Sequence, residues 1–478
     1  MLRLKTSLGY FLLAVLASPV VADDARQPTH ELTLDNGLKV IVREDHRAPV
    51  VVSQIWYKVG SSYEPPGQTG ISHALEHMMF KGSKNLGPGE SSRVLRSLGA
   101  EENAFTSRDY TAYYQVLSRD QLPIALEMEA ERMHTATLPE DEFIREMEVI
   151  KEERRLRVDD NPNSLAYERY LTQAHIASPY AQPVIGWMHD IERLTVEDLR
   201  AWYTTHYVPG NAVLVIVGDV TLNEIKPLVE KHFAPIAAGP VPDHKKPLEL
   251  PGGAEREVTL HLDVQLPSLL LSFNVPSLST AAEAWEVHAL RLLSGVLDGG
   301  YSARLASRLE RGESIATSAS ASYSGFTRGD TLFTLNGLPN QARDISLEQL
   351  EAALWKEIDE LKTTPPSSSE LTRVKTQMIA ADVYQQDSIS HQATQIGQLE
   401  SVGLPWTLIE EDAAALEAIT PEQVSEVARR YLVSERLTRG HILPAASAAV
   451  DETDAGLPAT GSPAAGSPAA NTQQEESN

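Results

Sequence analysis

The 478-residue chain contains no cysteine, which excludes disulfides, thiolate metal ligands and a lipid-modified cleavage site. Its 41 basic side chains are outnumbered by 66 acidic ones, for a formal net charge of −25. That balance argues against nucleic acid or anionic lipid as a partner, since both are bound through basic patches.

The first residues read as a secretory leader. Arg3 and Lys5 make a positive start, residues 8–16 are a short apolar stretch, and Val20, Val21 and Ala22 are small enough for cleavage before Asp23. Residues 8–16 are too few to span a bilayer comfortably; an uncleaved anchor is the alternative. The expectation is a signal peptide over 1–22 and a soluble periplasmic protein, whose charge falls to −27 once Arg3 and Lys5 are removed. Residues 32–42 then form two alternating runs around Asn36-Gly37, a hairpin signal.

Residues 70–80 read G-I-S-H-A-L-E-H-M-M-F. On a helix, His73 and His77 lie four apart and project from one face, where both rings can reach one metal ion. Glu76 sits beside that face, placed to take a proton from water at the metal. The array is H-x-x-E-H, the inverse of H-E-x-x-H and a zinc peptidase pattern. The bland reading is a solvated helix face, but Met78, Met79 and Phe80 are too apolar for one, and Gly82 is a plausible helix stop. A buried helix with two His and a Glu needs partners for them, and a metal is the economical one.

Further on, residues 146–153 read E-M-E-V-I-K-E-E. Glu146 and Glu153 are two helical turns apart and share a face, whereas Glu152 points about 100° away. Most charges here fit a solvated helix of Glu–Arg pairs. Arg145, Arg154, Arg155 and Arg157 alternate with acids and read as helix surface rather than an anion site.

From about residue 30 to 444 the chain resembles the pitrilysin and mitochondrial-processing-peptidase metallopeptidases, the inverzincins. The motifs that carry the likeness, in order, are the H-x-x-E-H helix, residues 98–114, the 146–160 segment, Y-A-Q-P-V-I-G at 180–186 and N-A-V-L-V-I-V-G-D at 211–219. The resemblance implies Glu153 as third zinc ligand, Glu146 as its supporting carboxylate, and one Zn²⁺ per chain. It also places Asn103 and Ala104 at a strand edge where an extended peptide adds by main-chain hydrogen bonds. Asn103 as an ordinary turn residue is the competing reading.

An internal echo at an offset of 225 suggests two similar halves. Leu194, Thr195, Glu197 and Leu199 match Ile419, Thr420, Glu422 and Val424, each a capped helix start followed by a strand, near 212–217 and 436–443. The second half opens with alternating runs at 257–263 and 269–275, and helical patterns follow at about 282–297, 343–362 and 368–386. The expected fold is α+β: two similar α/β sandwich lobes with mixed, largely antiparallel sheets, joined like a clamshell. The lobes should run over 23–236 and 255–444, with a Pro- and Gly-rich hinge at 237–254 and a disordered tail at 445–478. The same offset carries His73 to Asp298 and His77 to Ser302, so only the first half has a zinc site.

One departure concerns the second half, where the family commonly has an Arg and, further along, a Tyr that grip the substrate backbone. Arg311 stands near the expected Arg, but Thr317 occupies the place of the Tyr. By the resemblance, such a gap favours a heterodimer with a zinc-less homologous subunit over a homodimer or monomer. The sequence reads as a zinc metalloendopeptidase for peptides or short unfolded segments, with Glu76 as general base. Its rivals are a non-catalytic structural or chaperone-like subunit and a peptide-binding module with structural zinc. The latter expects four protein ligands, and three are apparent.

Overall fold

The computed structural model describes residues 27–243, 245–250 and 254–445. The expected leader, and the expected tail apart from Ala445, lie outside the described residues.

In the first half, β1 (Thr29–Thr33), β2 (Lys39–Glu44), β3 (Val50–Tyr57), β4 (Glu101–Thr106), β5 (Thr111–Ser118) and β6 (Ala212–Gly218) form one sheet, ordered β1-β2-β6-β3-β5-β4. In the second, β7 (Arg256–Leu262), β8 (Ser268–Val275), β9 (Ala316–Tyr323), β10 (Thr331–Pro339) and β11 (Leu437–Pro444) are ordered β7-β11-β8-β10-β9. Without β1, the two orders correspond strand for strand. Each sheet has one parallel pair, β2 with β6 and β7 with β11, among antiparallel neighbours. The two α/β lobes expected from the echo are present.

The first half carries α1 (Ile71–Met78), α2 (Glu90–Ser97), α3 (Leu122–Thr135), α4 (Glu140–Arg154), α5 (Pro162–Ala174), α6 (Met188–Ile191), α7 (Val196–His206) and α8 (Leu222–Phe233). The second carries α9 (Ala284–Asp298), α10 (Leu347–Thr363), α11 (Ser368–Gln385), α12 (Ile389–Ser401), α13 (Leu408–Ala418) and α14 (Pro421–Tyr431). The paired helices α7 and α14 both start at a reciprocal cap, Thr195 with Asp198 and Thr420 with Gln423. β6 is apolar and buried at every residue, as a central strand covered on both faces must be.

What covers those faces ties the halves together. One face of the first sheet packs on its own helices through Leu75, Leu126, Leu199 and Val229. Its other face is covered by α12 from the second half, with Ala393 and Ile396 against Trp56, Val213 and Val215. Gly397 lies so close that a Cβ there would sit 2.1 Å from the Trp56 indole. In return α5, from the first half, lays Ala166, Tyr170 and Ala174 on Leu270 and Ile442 of the second sheet, and the Tyr170 hydroxyl donates to Thr438 O at 2.8 Å. The lobes exchange a helix, which the sequence repeat does not reveal.

Two local details complete the expected strands. β1 and β2 pair as the expected hairpin around Asn36-Gly37, with the register ending at Thr33–Lys39 and residues 34–38 making the connection. Within it the Asn36 amide donates to Phe233 O at 2.8 Å and Ile236 O at 3.0 Å and so satisfies the end of α8. β7 and β8 are strands but are not bonded to each other, because β11 lies between them.

Arg47 bridges the halves next to this sheet. Its Nε and one terminal nitrogen donate to the buried Asp45 at 2.8 and 2.6 Å, and its other nitrogen reaches Asp387 at 3.0 Å. Asp45 also accepts from Gln392 on α12 at 3.2 Å. The Arg47 hydrogen bonds outweigh burial and hold the Asp45 carboxyl at about 2, below its ordinary 3.8. A depressed carboxylate contributes stability that is complete above the ordinary value and disappears as pH falls through the folded one. Asp45→Asn should therefore remove about 1–2 kcal/mol at neutral pH, discounted for the half-exposed Arg47, and almost nothing near pH 2. Denaturant unfolding of both proteins across that range measures the difference.

Candidate metal centre

α1 is only eight residues long and starts without a side-chain cap of its own, at Gly70 with φ 86°. Glu64 supplies the cap, accepting the Gly70 and Ser72 N–H groups at 2.7 and 2.8 Å. Burial pushes the Glu64 carboxyl up to about 7 against the pull of these amides. Thr69, just ahead, donates through its hydroxyl to buried Asp190 at 2.6 Å and accepts from Trp187 N at 2.9 Å. Leu75, Met78 and Met79 face the core. The helix ends at Met78, a few residues ahead of Gly82.

With α1 fixed this way, His73 and His77 face α4. The Nε2 atoms of His73 and His77 lie 3.7 and 3.4 Å from one oxygen, Glu153 Oε2. The three ligand atoms fall within 4.8 Å of one another, and among the described residues this is the one His/Cys/Asp/Glu group that could hold a metal ion. Ligands about 2.1 Å from a tetrahedral ion are about 3.4 Å apart, so the spacing fits zinc. Glu153 Oε2 is buried with no hydrogen-bond donor of its own, which fits a cation as its partner. Burial, then His77 and Arg157, lowers the His73 pKa to about 3, so this ring is neutral and its lone pair is available.

The other predicted residues divide between this cluster and elsewhere. His77 Nδ1 lies 3.1 Å from Glu146 Oε2, and Lys81 Nζ is 2.5 Å from the other Glu146 oxygen. Glu152 is exposed and pairs with Arg155 at 3.0 Å, one position away from the cluster. Glu76 borders a cavity of about 730 Å³ together with His73, His77, Glu153, Asn103 and Ala104. Asn103 and Ala104 lie on β4, the open edge of the first sheet. Arg311 lies outside this cavity, exposed and stacked 3.5 Å above the Tyr301 ring. Thr317 is exposed on β9, the corresponding edge of the second sheet.

Three participants were not singled out from sequence. Thr106 donates to Glu76 Oε2 at 2.5 Å, fixing the carboxylate beside the cavity that both residues line. Burial raises the Glu76 pKa, and the Thr106 hydrogen bond opposes it. Arg157 pairs with Glu153 Oε1 at 2.6 Å, where the end of α4 widens and Asp160 N bonds back to Arg155 O at 2.8 Å. Arg154 corrects the surface reading of the arginines. It is buried, forks onto Glu168 at 2.8 Å through both terminal nitrogens, and donates to Gly186 O. The i+4 spacing of Arg157 from Glu153 was the one signal available for any of them.

The insulinase family of peptidases (family M16) matches residues 39–186, and the M16 inactive domain matches residues 193–378. This chain belongs to the M16 peptidase family. The His73–His77–Glu153 group that could hold a metal ion lies within the first M16 match. The chain is 35% identical to the zinc protease PqqE of Helicobacter pylori over 73% of its length and 78% of that protein's. A crystal structure of a protease from Helicobacter pylori superimposes with a TM-score of 0.80 at 29% identity, covering 87% of this chain and all of that one. The mitochondrial-processing peptidase subunit beta of Lentinula edodes is 26% identical over 84% of this chain and 86% of its own.

The M16 helix α1 is seated on a close backbone crossing. A Cβ on Gly186, at φ 88°, would lie 2.4 Å from Thr69 O and 2.6 Å from the Gly70 Cα. Gly186→Ala should therefore destabilise the protein by roughly 2–4 kcal/mol, from left-handed strain plus forced separation of the segments. Thermal unfolding checks this, and an unchanged midpoint would contradict it.

Proposed function

We propose that this M16 chain is a zinc-dependent metalloendopeptidase that hydrolyses peptides or short unfolded segments. The observation that carries the reading is the convergence of His73, His77 and Glu153 on one point, with Glu76 beside it on the same cavity. In this reading His73, His77 and Glu153 hold one Zn²⁺, and Glu146 orients His77 through its Nδ1. The ion, when bound, supplies Lewis acidity to water and to a peptide carbonyl. Glu76 takes the proton of the attacking water and delivers it to the departing nitrogen, its Oε2 steadied by Thr106. An extended peptide adds to β4 along Asn103 and Ala104, and Arg311, exposed on the second half, grips the substrate backbone outside this cavity. The leader-like start supports a periplasmic setting.

The alternative, a non-catalytic assembly subunit, draws support from the inactive-domain match in the second half. It predicts no metal-dependent turnover. Purified protein should instead bind one zinc per chain and lose peptide cleavage on chelation. Glu76→Gln should keep zinc and lose several orders of magnitude in kcat, Glu153→Gln should sharply weaken zinc binding, and Glu152→Gln should do neither. Loss of zinc from the Glu76 variant, or the reverse ranking of Glu152 and Glu153, would contradict the assignment.

We further propose a heterodimer with a zinc-less relative of similar fold, with a homodimer as second choice. The exposed Thr317 on the β9 edge and the likeness to a protein named as a subunit support this. Mixing the chain with such a relative should raise peptide cleavage above that of the isolated chain. Full activity of a sedimenting monomer would rule the heterodimer out.

A further inference from the structure

The turn between β4 and β5 is held by a residue from the other half of the chain. Arg328, between β9 and β10, is 7% exposed although it reaches across to the first lobe. Its backbone N–H donates to Asp109 Oδ2 at 3.1 Å, and its Nε lies 3.5 Å from Asp109 Oδ1. One terminal nitrogen donates to Ser62 Oγ at 2.8 Å and the other to Lys245 O at 2.7 Å. The guanidinium lies 3.7 Å over the Tyr63 ring, and Tyr180 closes the group by donating to Asp109 at 2.5 Å. With Ser62 O at 3.4 Å as a further partner, the buried fork meets four acceptors and one aromatic face, an arrangement that arginine supplies and lysine does not.

Two of the segments gripped by Arg328 also support α1 and its Glu76. Residues 61–62 are bonded to the β4–β5 turn, Ser61 N to Ser107 O at 3.1 Å and Ser62 N to Arg108 O at 2.8 Å. Two residues beyond Ser62 is Glu64, which caps α1. Three residues before Asp109 is Thr106, which holds Glu76. We propose that Arg328 is a positioning residue for the active site: through Ser62 and Asp109 the second lobe sets both the seat of the metal helix and the edge strand that receives substrate. The inference rests on the peptidase reading for its kinetic part only.

The decisive experiment is amide hydrogen exchange on zinc-loaded full-length protein, wild type against Arg328→Ala, read with zinc content and peptide kinetics. Exchange should quicken at least tenfold at the Ser61, Ser62, Gly70 and Ser72 amides, while α8 amides, remote from the contact, stay unchanged. Zinc should remain at one per chain. The value of kcat/KM should fall about 10- to 100-fold, mainly in kcat, as expected when reacting groups are misplaced rather than removed. Millimolar guanidinium should restore part of the loss, which a general folding defect would not allow. Unchanged exchange at those four amides, or acceleration matched in α8, overturns the proposal. Should Arg328→Ala fail to fold, Arg328→Lys is read by the same exchange criterion. A wild-type protein that binds zinc but cuts no peptide would refute the peptidase reading, and the exchange result would still decide this one.

Discussion

An isolated helix of eight residues is not stable in water, yet α1 has eight residues and carries both histidines and the candidate base. Its position must be imposed from outside. Glu64 caps its first amides, Asp190 fixes Thr69 ahead of it, Gly186 passes against its start, and Leu75 and Met78 anchor its inner face. Only with the helix fixed do two imidazole nitrogens meet a carboxylate oxygen projecting from α4, a separate element. The chemistry is a consequence of that seating.

Burial gives the cluster its character. It drives the His73 ring toward neutrality and raises Glu76, the states that the proposed metal donor and proton acceptor call for. Grouping these side chains out of water is unfavourable unless a cation or proton compensates, so the surrounding fold must be rigid enough to hold them. The helix exchange contributes to that rigidity. With α12 on the back of the first sheet and α5 on the back of the second, neither sheet can shift without disturbing the other half. The second half has the same strand order and forms no comparable metal group among its described residues. Asp298, which an unbroken offset of 225 pairs with His73, is the last residue of α9 and accepts the Ala321 amide at 3.2 Å.

Features legible in the sequence were local. The His73–Glu76–His77 array, the Glu146–Glu153 spacing, the caps at Thr195 and Thr420 and the apolar run of β6 all depend on residues within about two helical turns. The expected helices at 282–297, 343–362 and 368–386 match α9, α10 and α11 closely for the same reason. Illegible features join distant residues. Arg328 and Asp109 are 219 positions apart, and Tyr170 and Thr438 are 268 apart. Nothing in the pattern around Arg154 distinguished it from its exposed neighbours, because its burial depends on Glu168 and on the Gly186 loop. Asn36 shows the intermediate case, a turn residue recognised as such whose side chain is committed to α8.

The central claim is that α1 and α4 together bind one zinc ion through three named atoms. Diffraction from crystals of the zinc-loaded protein, recorded on both sides of the zinc absorption edge, tests it without reference to activity. The account predicts one anomalous peak about 2.0–2.2 Å from His73 Nε2, His77 Nε2 and a Glu153 oxygen, with Glu76 outside bonding distance. A peak bound by Glu76 or Glu152, or no peak between these helices in a zinc-saturated crystal, would contradict it.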